Sequence, residues 1–592
     1  MQNSSKNWGS VRHATNRVLR AHLQKCREIA KTEGRSKMDL SRKKLMGGIF
    51  ALAAAGSLFT MTAFALDHDI VILTTNDVHC GVEDNIGYAG LALYRNEMKQ
   101  QTPYVSLVDA GDAVQGAPIG TLSKGSYIVD IMNKVGYDVA VPGNHEFDYE
   151  MPRLLELNQQ LNSHYTSANF MDLRTGQSVF EPYKLMNYDD TTVAYVGVTT
   201  PESFSKSTPV YFQDAAGNYI YGFCEDETGE KLYNKIQETV DAARGAGADY
   251  VVMVGHLGME GITPRWNTEN VVKNTSGIDA VIDGHSHEQY LRNYANRDGK
   301  EIPVLQTGTK LAAIGKLTIG TDGAIHTELV TGVGPKQTLP GLTEDEKGPQ
   351  AGDPEIQTFI MNIKQQLSGV LDQVIGKTDV DLTVNDPDTG KRAVRSAETN
   401  LGDLTADAYR AIAGADIGFS NGGGIRADIK AGNITYNDAL SVFPFGNEAC
   451  LISASGQQIK DALEMAARNL PEENGGFLQV SGLSYTVNTA VPSSVVLDEK
   501  GNFINVAGAY RVENIMVGDA PLDLAKQYTV ASHNYMLLNA GDGMTMFQDA
   551  TMLKDRIATD VDVLYEYINK NLNGTVGAEY SNPRGQGRIT IR

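Results

Sequence analysis

The chain has 592 residues, of which 41% are hydrophobic and 21% are charged. This composition excludes a disordered tail protein, a collagen-like repeat and a small disulfide-rich domain, and the length predicts two to four domains of about 100–200 residues each. The formal net charge of −21 argues against broad binding of nucleic-acid polymers and against adhesion to anionic membranes, because both of those partners attract a basic surface.

The N-terminal segment has the pattern of an export signal. A basic cluster at 42–44 precedes an apolar run at 45–59, and the Ala-Phe-Ala sequence at 63–65 provides a cleavage motif of the A-x-A kind. We therefore predict that residues 38–65 are a Sec signal peptide and that residues 1–37 are an extension upstream of the natural start. A membrane anchor is the alternative, but the apolar run is shorter than the ~20 residues that a span requires.

Removal of this segment changes the charge and the cysteine content. Residues 1–65 contain 12 Lys and Arg against 3 Asp and Glu, so the mature chain has a formal charge of about −30. We predict a periplasmic, cell-wall or extracellular protein with no stable membrane span. Three cysteines remain, an odd number, and we expect Cys80, Cys224 and Cys450 to be unpaired.

From residue 69 to about residue 309, apolar and β-branched runs of strand length alternate with helical stretches. Near-continuous apolar strands of this kind are typical of buried sheets in a layered α/β domain. The predicted strands are Ile70–Leu73, Val105–Val108, Val193–Val198, Val251–Val254 and Ala280–Ile282. In such folds, ligands bind where the strands end.

The rest of the chain predicts a linker and a second domain. The stretch at 335–354 is rich in Gly, Pro and acidic residues, and the apolar residues that follow have helical spacing over roughly Pro354–Leu371. We predict a layered α/β domain at 66–335, a linker and hinge helix at 336–372, and a separate α+β domain at 373–592.

Five short polar motifs end predicted strands of the first domain. They are Asp77-Val78-His79, Gly111-Asp112, Gly143-Asn144-His145-Glu146, Gly255-His256 and Gly284-His285-Ser286-His287. Each motif alone is compatible with a turn or a helix cap. Together they favour a metal site, because Asp and His two positions apart on an extended segment face the same side, and a carboxylate can bridge two cations. The mixture of N and O ligands suits Zn, Mn, Fe or Co, and two such ions about 3.5–4 Å apart are used for phosphoester hydrolysis.

The ordered set D-x-H, G-D, G-N-H-E, G-H and G-H-S-H resembles the calcineurin-like metallophosphoesterase family. From about Leu66 to Arg592 the chain is similar to bacterial 5′-nucleotidases and 2′,3′-cyclic-nucleotide phosphodiesterases. The resemblance implies that one ion is held by Asp77, His79 and His287, the other by Asn144, His256 and His285, and that Asp112 bridges them. It also implies that His145, oriented by Asp148, stabilises the phosphoryl charge or protonates the leaving oxygen.

The C-terminal region resembles the substrate-specificity domain of the same family. The sequence Asn421-Gly422-Gly423-Gly424-Ile425-Arg426 matches the NGGGIR motif of that domain. Some relatives have a second arginine four residues before the position of Arg395, where this chain has Lys391, so that phosphate contact is left open. Relatives hold the base between two aromatic rings; Phe445 fits the first position, while the second falls on Met536, with Tyr535 beside it. The substrate-binding residues implied by the resemblance are Arg395, Asn421, Gly423, Arg426, Phe445, Tyr535, Met536 and Asp542.

The motifs and the N-terminal pattern predict an exported, dimetal-dependent phosphohydrolase, and the resemblance implies that it releases phosphate from 5′-nucleotides such as AMP for nucleotide salvage. The expected partner is a small-molecule nucleotide. A 2′,3′-cyclic-nucleotide phosphodiesterase with 3′-nucleotidase activity, or a UDP-sugar hydrolase, remains an alternative, because Lys391 and Met536 depart from the family pattern. A secreted nucleotide-binding or adhesion protein is the alternative from another class, although such proteins usually lose a metal ligand or the catalytic His, and this sequence retains all of them.

Overall fold

The computed structural model describes residues 66–259, 262–333 and 352–592. The predicted signal peptide, the upstream extension and most of the predicted linker lie outside these residues. None of the helices in the described ranges is long and apolar enough to cross a membrane.

In the first part of the described chain, a small sheet joins Met171–Asp172 with Gln177–Ser178 and Tyr221–Gly222. Two larger sheets form the rest of this part. Their strands are β1 (Ile70–Thr75), β2 (Val105–Asp109), β3 (Val139–Ala140), β4 (Tyr183–Tyr188), β5 (Thr191–Thr199), β6 (Tyr250–His256), β7 (Ala280–Ile282), β8 (Gln289–Ala295), β9 (Glu301–Thr307), β10 (Ile314–Ile319) and β11 (Ile325–Val330). One sheet has the order β11-β10-β1-β2-β3 and the other β8-β9-β7-β6-β5-β4. The strands β1, β2 and β3 run parallel, as do β5, β6, β7 and β9. The five runs predicted from the sequence lie in β1, β2, β5, β6 and β7.

Helices cover the outer faces of both larger sheets. They are α1 (Gly87–Gln101), α2 (Pro118–Ser123), α3 (Ser126–Val135), α4 (Glu150–Gln160), α5 (Ser203–Lys206), α6 (Glu230–Gly245) and α7 (Thr268–Asn274). Alternating side chains of β1 enter different cores: Val71 and Leu73 pack under the helices, whereas Ile70 and Ile72 pack against the second sheet. The arrangement is therefore helix, sheet, sheet, helix.

The helix α8 (Pro354–Leu371) follows, with the bounds that the apolar spacing predicts. Asp353 caps it, because its side chain accepts hydrogen bonds from the amides of Glu355 and Ile356. Its buried Ile356, Ile360 and Ile363 belong to the core under α1 and α3. The helix is thus anchored on the first domain, and its role as a hinge stays a prediction.

The C-terminal part is an α+β domain built around the sheet β16-β13-β22-β15-β23. Its strands are β12 (Val374–Thr378), β13 (Ile417–Asn421), β14 (Gly432–Thr435), β15 (Ala449–Ser455), β16 (Leu478–Ser481), β17 (Leu483–Val487), β18 (Val495–Leu497), β19 (Phe503–Val506), β20 (Val512–Val517), β21 (Ala520–Pro521), β22 (Gln527–His533), β23 (Thr551–Lys554), β24 (Thr575–Val576) and β25 (Ile589–Ile591). Its helices are α9 (Asn400–Ala413), α10 (Tyr436–Val442), α11 (Gly456–Ala467), α12 (Asn534–Leu537) and α13 (Asp560–Lys570). Separate cores lie on the two faces of the central sheet, under α11 and under α9 with α13.

The layered α/β region and the following α+β region confirm the fold class predicted from the sequence. The three cysteines in the described ranges, Cys80, Cys224 and Cys450, are free, as expected.

Candidate metal centre and substrate cavity

The predicted metal ligands lie at the carboxyl ends of strands in both larger sheets of the first domain. Five of them have backbone conformations in the left-handed region, where non-glycine residues are uncommon and strain is stored. Their φ angles are 51° for Asp77, 48° for His79, 59° for Asp112, 81° for His285 and 60° for His287. The glycines of the motifs permit the close approach of these loops; a Cβ on Gly143 would lie 2.3 Å from Oδ1 of Asp112.

The ligand atoms form two clusters that share one carboxylate. Those of Asp77, His79, Asp112 and His287 lie within 4.8 Å of one another, and those of Asp112, His256 and His285 do so as well. Nε2 of His256 is 3.2 Å from Oδ2 of Asp112, and Nε2 of His287 is 3.3 Å from Oδ1 of Asp77. The structure thus brings together the Asp and His members of the two ligand sets that the family resemblance implies, with Asp112 common to both.

Hydrogen bonds fix several of these ligands by one atom, and Nε2 of His79 and Nε2 of His287 lie within hydrogen-bond distance of each other, at 3.0 Å. Nδ1 of His79 bonds to the carbonyl of Gln115 at 3.0 Å, and Nδ1 of His256 to the carbonyl of Ala110 at 2.7 Å. Oδ2 of Asp77 accepts from the amide of His285. Oδ1 of Asp77, Nε2 of His256 and Oδ1 of Asn144 are buried without a hydrogen-bond partner among the described residues, so a donor set of N and O atoms is available to divalent cations and fits them.

The charges around the clusters also suit cations. Burial lowers the pKa of His79 well below its usual range, and the charge of Arg426 lowers it further, which favours the neutral imidazole that a metal ion requires. Burial also lowers the pKa of His256, but Asp112 and Asp77 outweigh burial and raise it to about 10. A cation that binds between these carboxylates would therefore displace a proton from His256.

Two carboxylates that sequence reasoning left without a role support the ligands. Glu146 is fully buried and accepts hydrogen bonds from the amides of Asp112, Ala113 and Gly143 at 2.6–2.8 Å, so it ties together the loops after β2 and β3. Glu202 is buried after β5, and its Oε2 lies 3.1 Å from Nε2 of His285. Burial raises the pKa of Glu202, but the hydrogen bond and charge of His285 outweigh burial and lower it to about 2.

His145 and Asp148 form a hydrogen-bonded pair beside the clusters. Nδ1 of His145 is 2.6 Å from Oδ2 of Asp148, and Ser207 donates a hydrogen bond to Oδ1 of the same carboxylate. Burial lowers the pKa of His145, but Asp148 and Asp112 outweigh it and the net pKa is raised. Because Nδ1 is held by Asp148, the other ring nitrogen of His145 is available to a substrate.

One cavity of about 760 Å³ joins this centre to the C-terminal domain. From the first domain it is lined by Asp112, Asn144, His145, Asp148, His285 and His287. From the C-terminal domain it is lined by Arg395, Asn421, Gly423, Arg426, Phe445, Tyr535 and Asp542. Members of both predicted ligand sets and the predicted substrate residues therefore meet in one space. Asp77, His79 and His256 are buried and do not line the cavity, and neither does Met536.

Three arginines give the cavity a positive wall. Arg395 and Arg426 make no ion pair within the described residues, and Nε of Arg395 is buried without a hydrogen-bond partner. Arg392 also lines the cavity and is paired with Glu473. Lys391, the residue that departs from the family pattern, lines the cavity too, and it lies next to Arg392 in the chain. Two adjacent cationic side chains therefore line this part of the cavity.

Two aromatic side chains of the C-terminal domain, Phe445 and Tyr535, line the cavity. The ring of Phe445 is 5.6 Å from the ring of His145, and the carbonyl of the preceding Pro444 accepts a hydrogen bond from Thr121 of the first domain at 2.7 Å. The hydroxyl of Tyr535 donates to the carbonyl of Ser205, again across the two domains.

The structure corrects the expectation for Met536, which is fully buried in the core under α11 and does not line the cavity. On the short helix α12 the two adjacent side chains point in different directions, and Tyr535 is the one that reaches the cavity. Beside it, Asn421 donates a hydrogen bond to Asp542 at 2.7 Å, and Lys206 lies 3.4 Å from the other oxygen of that carboxylate.

Comparison with known proteins agrees with this geometry. The family model of the calcineurin-like phosphoesterases matches residues 70–289, and that of the 5′-nucleotidase C-terminal domain matches residues 374–549. The 5′-nucleotidase of Bos taurus is 28% identical over 551 residues, which cover 85% of this chain and 88% of that protein. The crystal structure of a 5′-nucleotidase precursor from Thermus thermophilus is 25% identical, with a TM-score of 0.72, and the match covers 88% of this chain and 99% of the other.

A longer relative also matches. The trifunctional nucleotide phosphoesterase protein YfkN of Bacillus subtilis is 27% identical over 564 residues, which cover 88% of this chain. The match covers 35% of that protein, so the chain spans about a third of its length. The two domain matches and these relatives make the chain a phosphoric ester hydrolase.

Proposed function

We propose that this chain, which belongs to the 5′-nucleotidase family of calcineurin-like phosphoesterases, is an exported, dimetal-dependent nucleotide phosphohydrolase that releases phosphate from 5′-nucleotides such as AMP. The observation that carries the proposal is one cavity that is lined by members of both metal-ligand clusters, by the His145–Asp148 pair and by two arginines that form no ion pair among the described residues. This combination suits a phosphate monoester whose leaving group extends toward Phe445 and Tyr535.

The two ion sites are proposed as Asp77, His79, His287 and Asp112 for one ion and Asp112, Asn144, His256 and His285 for the other. When bound, Zn, Mn, Co or Fe ions would supply an activated water and neutralise charge on the phosphoryl group.

The protein groups bind and orient the substrate. Arg395 and Arg426 are placed to take phosphate oxygens in their planar guanidinium forks, which fit phosphate better than a lysine ammonium does. His145 stabilises charge on the phosphoryl oxygens or donates a proton to the leaving oxygen, and Asp148 fixes its ring through Nδ1. Phe445 and Tyr535 are placed to contact the base, by stacking of the kind worth ~1–3 kcal/mol per base elsewhere.

The export part of the proposal rests on the N-terminal sequence pattern. If residues 38–65 are the signal peptide, the exported protein begins at Leu66. N-terminal sequencing of the protein recovered outside the inner membrane tests this, and a start upstream of residue 38 would contradict it.

The substrate is tested by phosphate release from AMP, 3′-AMP, 2′,3′-cyclic AMP and UDP-glucose, each with Mn²⁺, Co²⁺ or Zn²⁺ and with a chelator control. We expect AMP to give the highest kcat/KM. A preference for the 2′,3′-cyclic substrate would replace the proposal by its main competitor, a 2′,3′-cyclic-nucleotide phosphodiesterase. The absence of phosphate release from all four substrates with every metal would refute both.

A further inference from the structure

The carboxylate of Glu202 is hydrogen-bonded to His285, one of the ligands of the proposed second ion site. It contacts none of the ligands of the first ion site. Its Oε2 lies 3.1 Å from Nε2 of His285, and both side chains are buried, with exposed fractions of 7% and 6%. His285 has two ring nitrogens, and Nε2 is occupied by Glu202. Nδ1 is therefore the atom of His285 that can bind an ion together with Asp112 and His256 in the second cluster.

The other oxygen of Glu202 is fixed by a loop of the second sheet. Oε1 accepts from the amide of Thr263 at 2.8 Å and from its hydroxyl at 2.6 Å. Three donors thus converge on one carboxylate, and each donor needs an acceptor oxygen. An acidic side chain meets this demand, whereas an amide side chain would direct its NH₂ group either at the backbone amide of Thr263 or at His285.

We propose that Glu202 is a positioning residue for the second ion site, which holds His285 in the tautomer with the proton on Nε2 and so keeps Nδ1 free for the ion. This inference rests on the proposed function, because it assumes that the second cluster binds a divalent ion. A histidine that ligates a metal commonly donates its other N–H to a carboxylate, and such partners affect metal affinity about 10- to 100-fold.

The backbone of His285 explains why this residue needs a partner. Its φ of 81° is the most positive among the five ligands in the left-handed region, and its amide is bound to Asp77 of the other cluster. A ring on a strained backbone can turn about χ1 and χ2 unless another group fixes it. Glu202, which lies between β5 and α5, supplies that constraint through its hydrogen bond to the ring of His285.

The helix α5 extends the same support to the rest of the site. Ser207, directly after its last residue, donates to Asp148, and Lys206 approaches Asp542 of the C-terminal domain. The segment 202–207 therefore contacts the second ion site, the His145–Asp148 pair and the substrate domain. Only Glu202 touches a metal ligand, so its substitution should have an effect on metal binding that substitution of Ser207 does not have.

The experiment is a calorimetric titration of the chelator-treated full chain with Mn²⁺ alone, with the bound metal counted by elemental analysis. We expect two sites in the wild type. In Glu202→Gln we expect the affinity of one site to fall about 10- to 100-fold and that of the other to stay unchanged. Glu202→Asp retains the charge but shortens the side chain, and an intermediate loss is expected.

Two matched variants serve as controls. Glu225→Gln removes a half-buried carboxylate of the same domain that pairs with Lys500 and lies outside both clusters. Ser207→Ala removes a hydrogen bond to Asp148. Both variants should retain two sites of wild-type affinity. Unchanged affinities at both sites in a folded Glu202→Gln would overturn the inference. If Glu202→Gln does not fold, wild-type affinity at both sites in Glu202→Asp would overturn it instead. A wild-type chain that binds no metal would refute the proposed function itself, which is a different outcome.

Discussion

Replacement of Arg395 by methionine should make the protein more stable and less active. The guanidinium of Arg395 lies in the cavity wall without an ion pair, its Nε has no hydrogen-bond partner, and its neighbours include Arg392 and Arg426. Burial, followed by the charges of these two arginines, lowers the pKa of Arg395 well below its usual range. In the absence of substrate, the folded state therefore holds a cation that lacks compensation.

The magnitude follows from these contacts. A buried polar group without a partner costs about 1–3 kcal/mol, and a charged group costs more. Methionine keeps the unbranched stem and removes the charge, so the free energy of unfolding of the metal-free protein should rise by about 1–3 kcal/mol. In the Arg395→Met variant, the substrate phosphate lacks a charge-assisted hydrogen bond worth about 1.5–3 kcal/mol, which corresponds to a decrease in kcat/KM of about 10- to 150-fold.

Urea denaturation followed by fluorescence and initial rates with AMP measure the two effects. Arg410→Met is the control, because Arg410 is an exposed arginine on α9 of the same domain and should change both quantities little. If Arg395→Met is less stable than the wild type and keeps its kcat/KM, Arg395 is a structural residue and the proposed phosphate site is wrong.

Further predictions concern the metal centre, the His145–Asp148 pair and pH. His145→Ala should lower kcat about 10²- to 10⁴-fold with the metal content intact, and near-normal turnover would refute its role. Glu146→Ala leaves three buried amides without acceptors and should lower the free energy of unfolding by several kcal/mol, on the order of 3–6, in urea denaturation; a change below about 1 kcal/mol would contradict this. Burial raises the pKa of Asp560 to about 8, so its contribution to stability should be present below pH ~4 and lost as the pH rises to about 8; Asp560→Asn should flatten that part of the stability profile, and an unchanged slope would count against it.

Much of the first domain could be predicted from local sequence patterns. The apolar runs at Ile70–Thr75 and Tyr250–His256 are buried along almost their whole length, so composition alone marks them as strands. The helix Pro354–Leu371 has an Asp cap, a proline in its first turn and regularly spaced isoleucines, and its bounds follow from these signals.

The parts of the site that the sequence did not indicate depend on contacts between distant segments. Glu202 and His285 are 83 residues apart and follow different strands, and nothing near Glu202 in the sequence marks it as a partner of a metal ligand. The side-chain directions of Tyr535 and Met536 depend on the turn of a four-residue helix, so counting along the family motif selected the buried neighbour. Arg392 reaches the cavity together with Lys391 because the loop that carries them folds back beside Glu473.

The most direct test of a dimetal nucleotidase is the rate of phosphate release from AMP as Mn²⁺ is added back to the chelator-treated protein. The two clusters that share Asp112 predict no activity without metal and full activity only after two equivalents are bound. Full activity in the presence of chelator, or at a single bound equivalent, would contradict this account of the site.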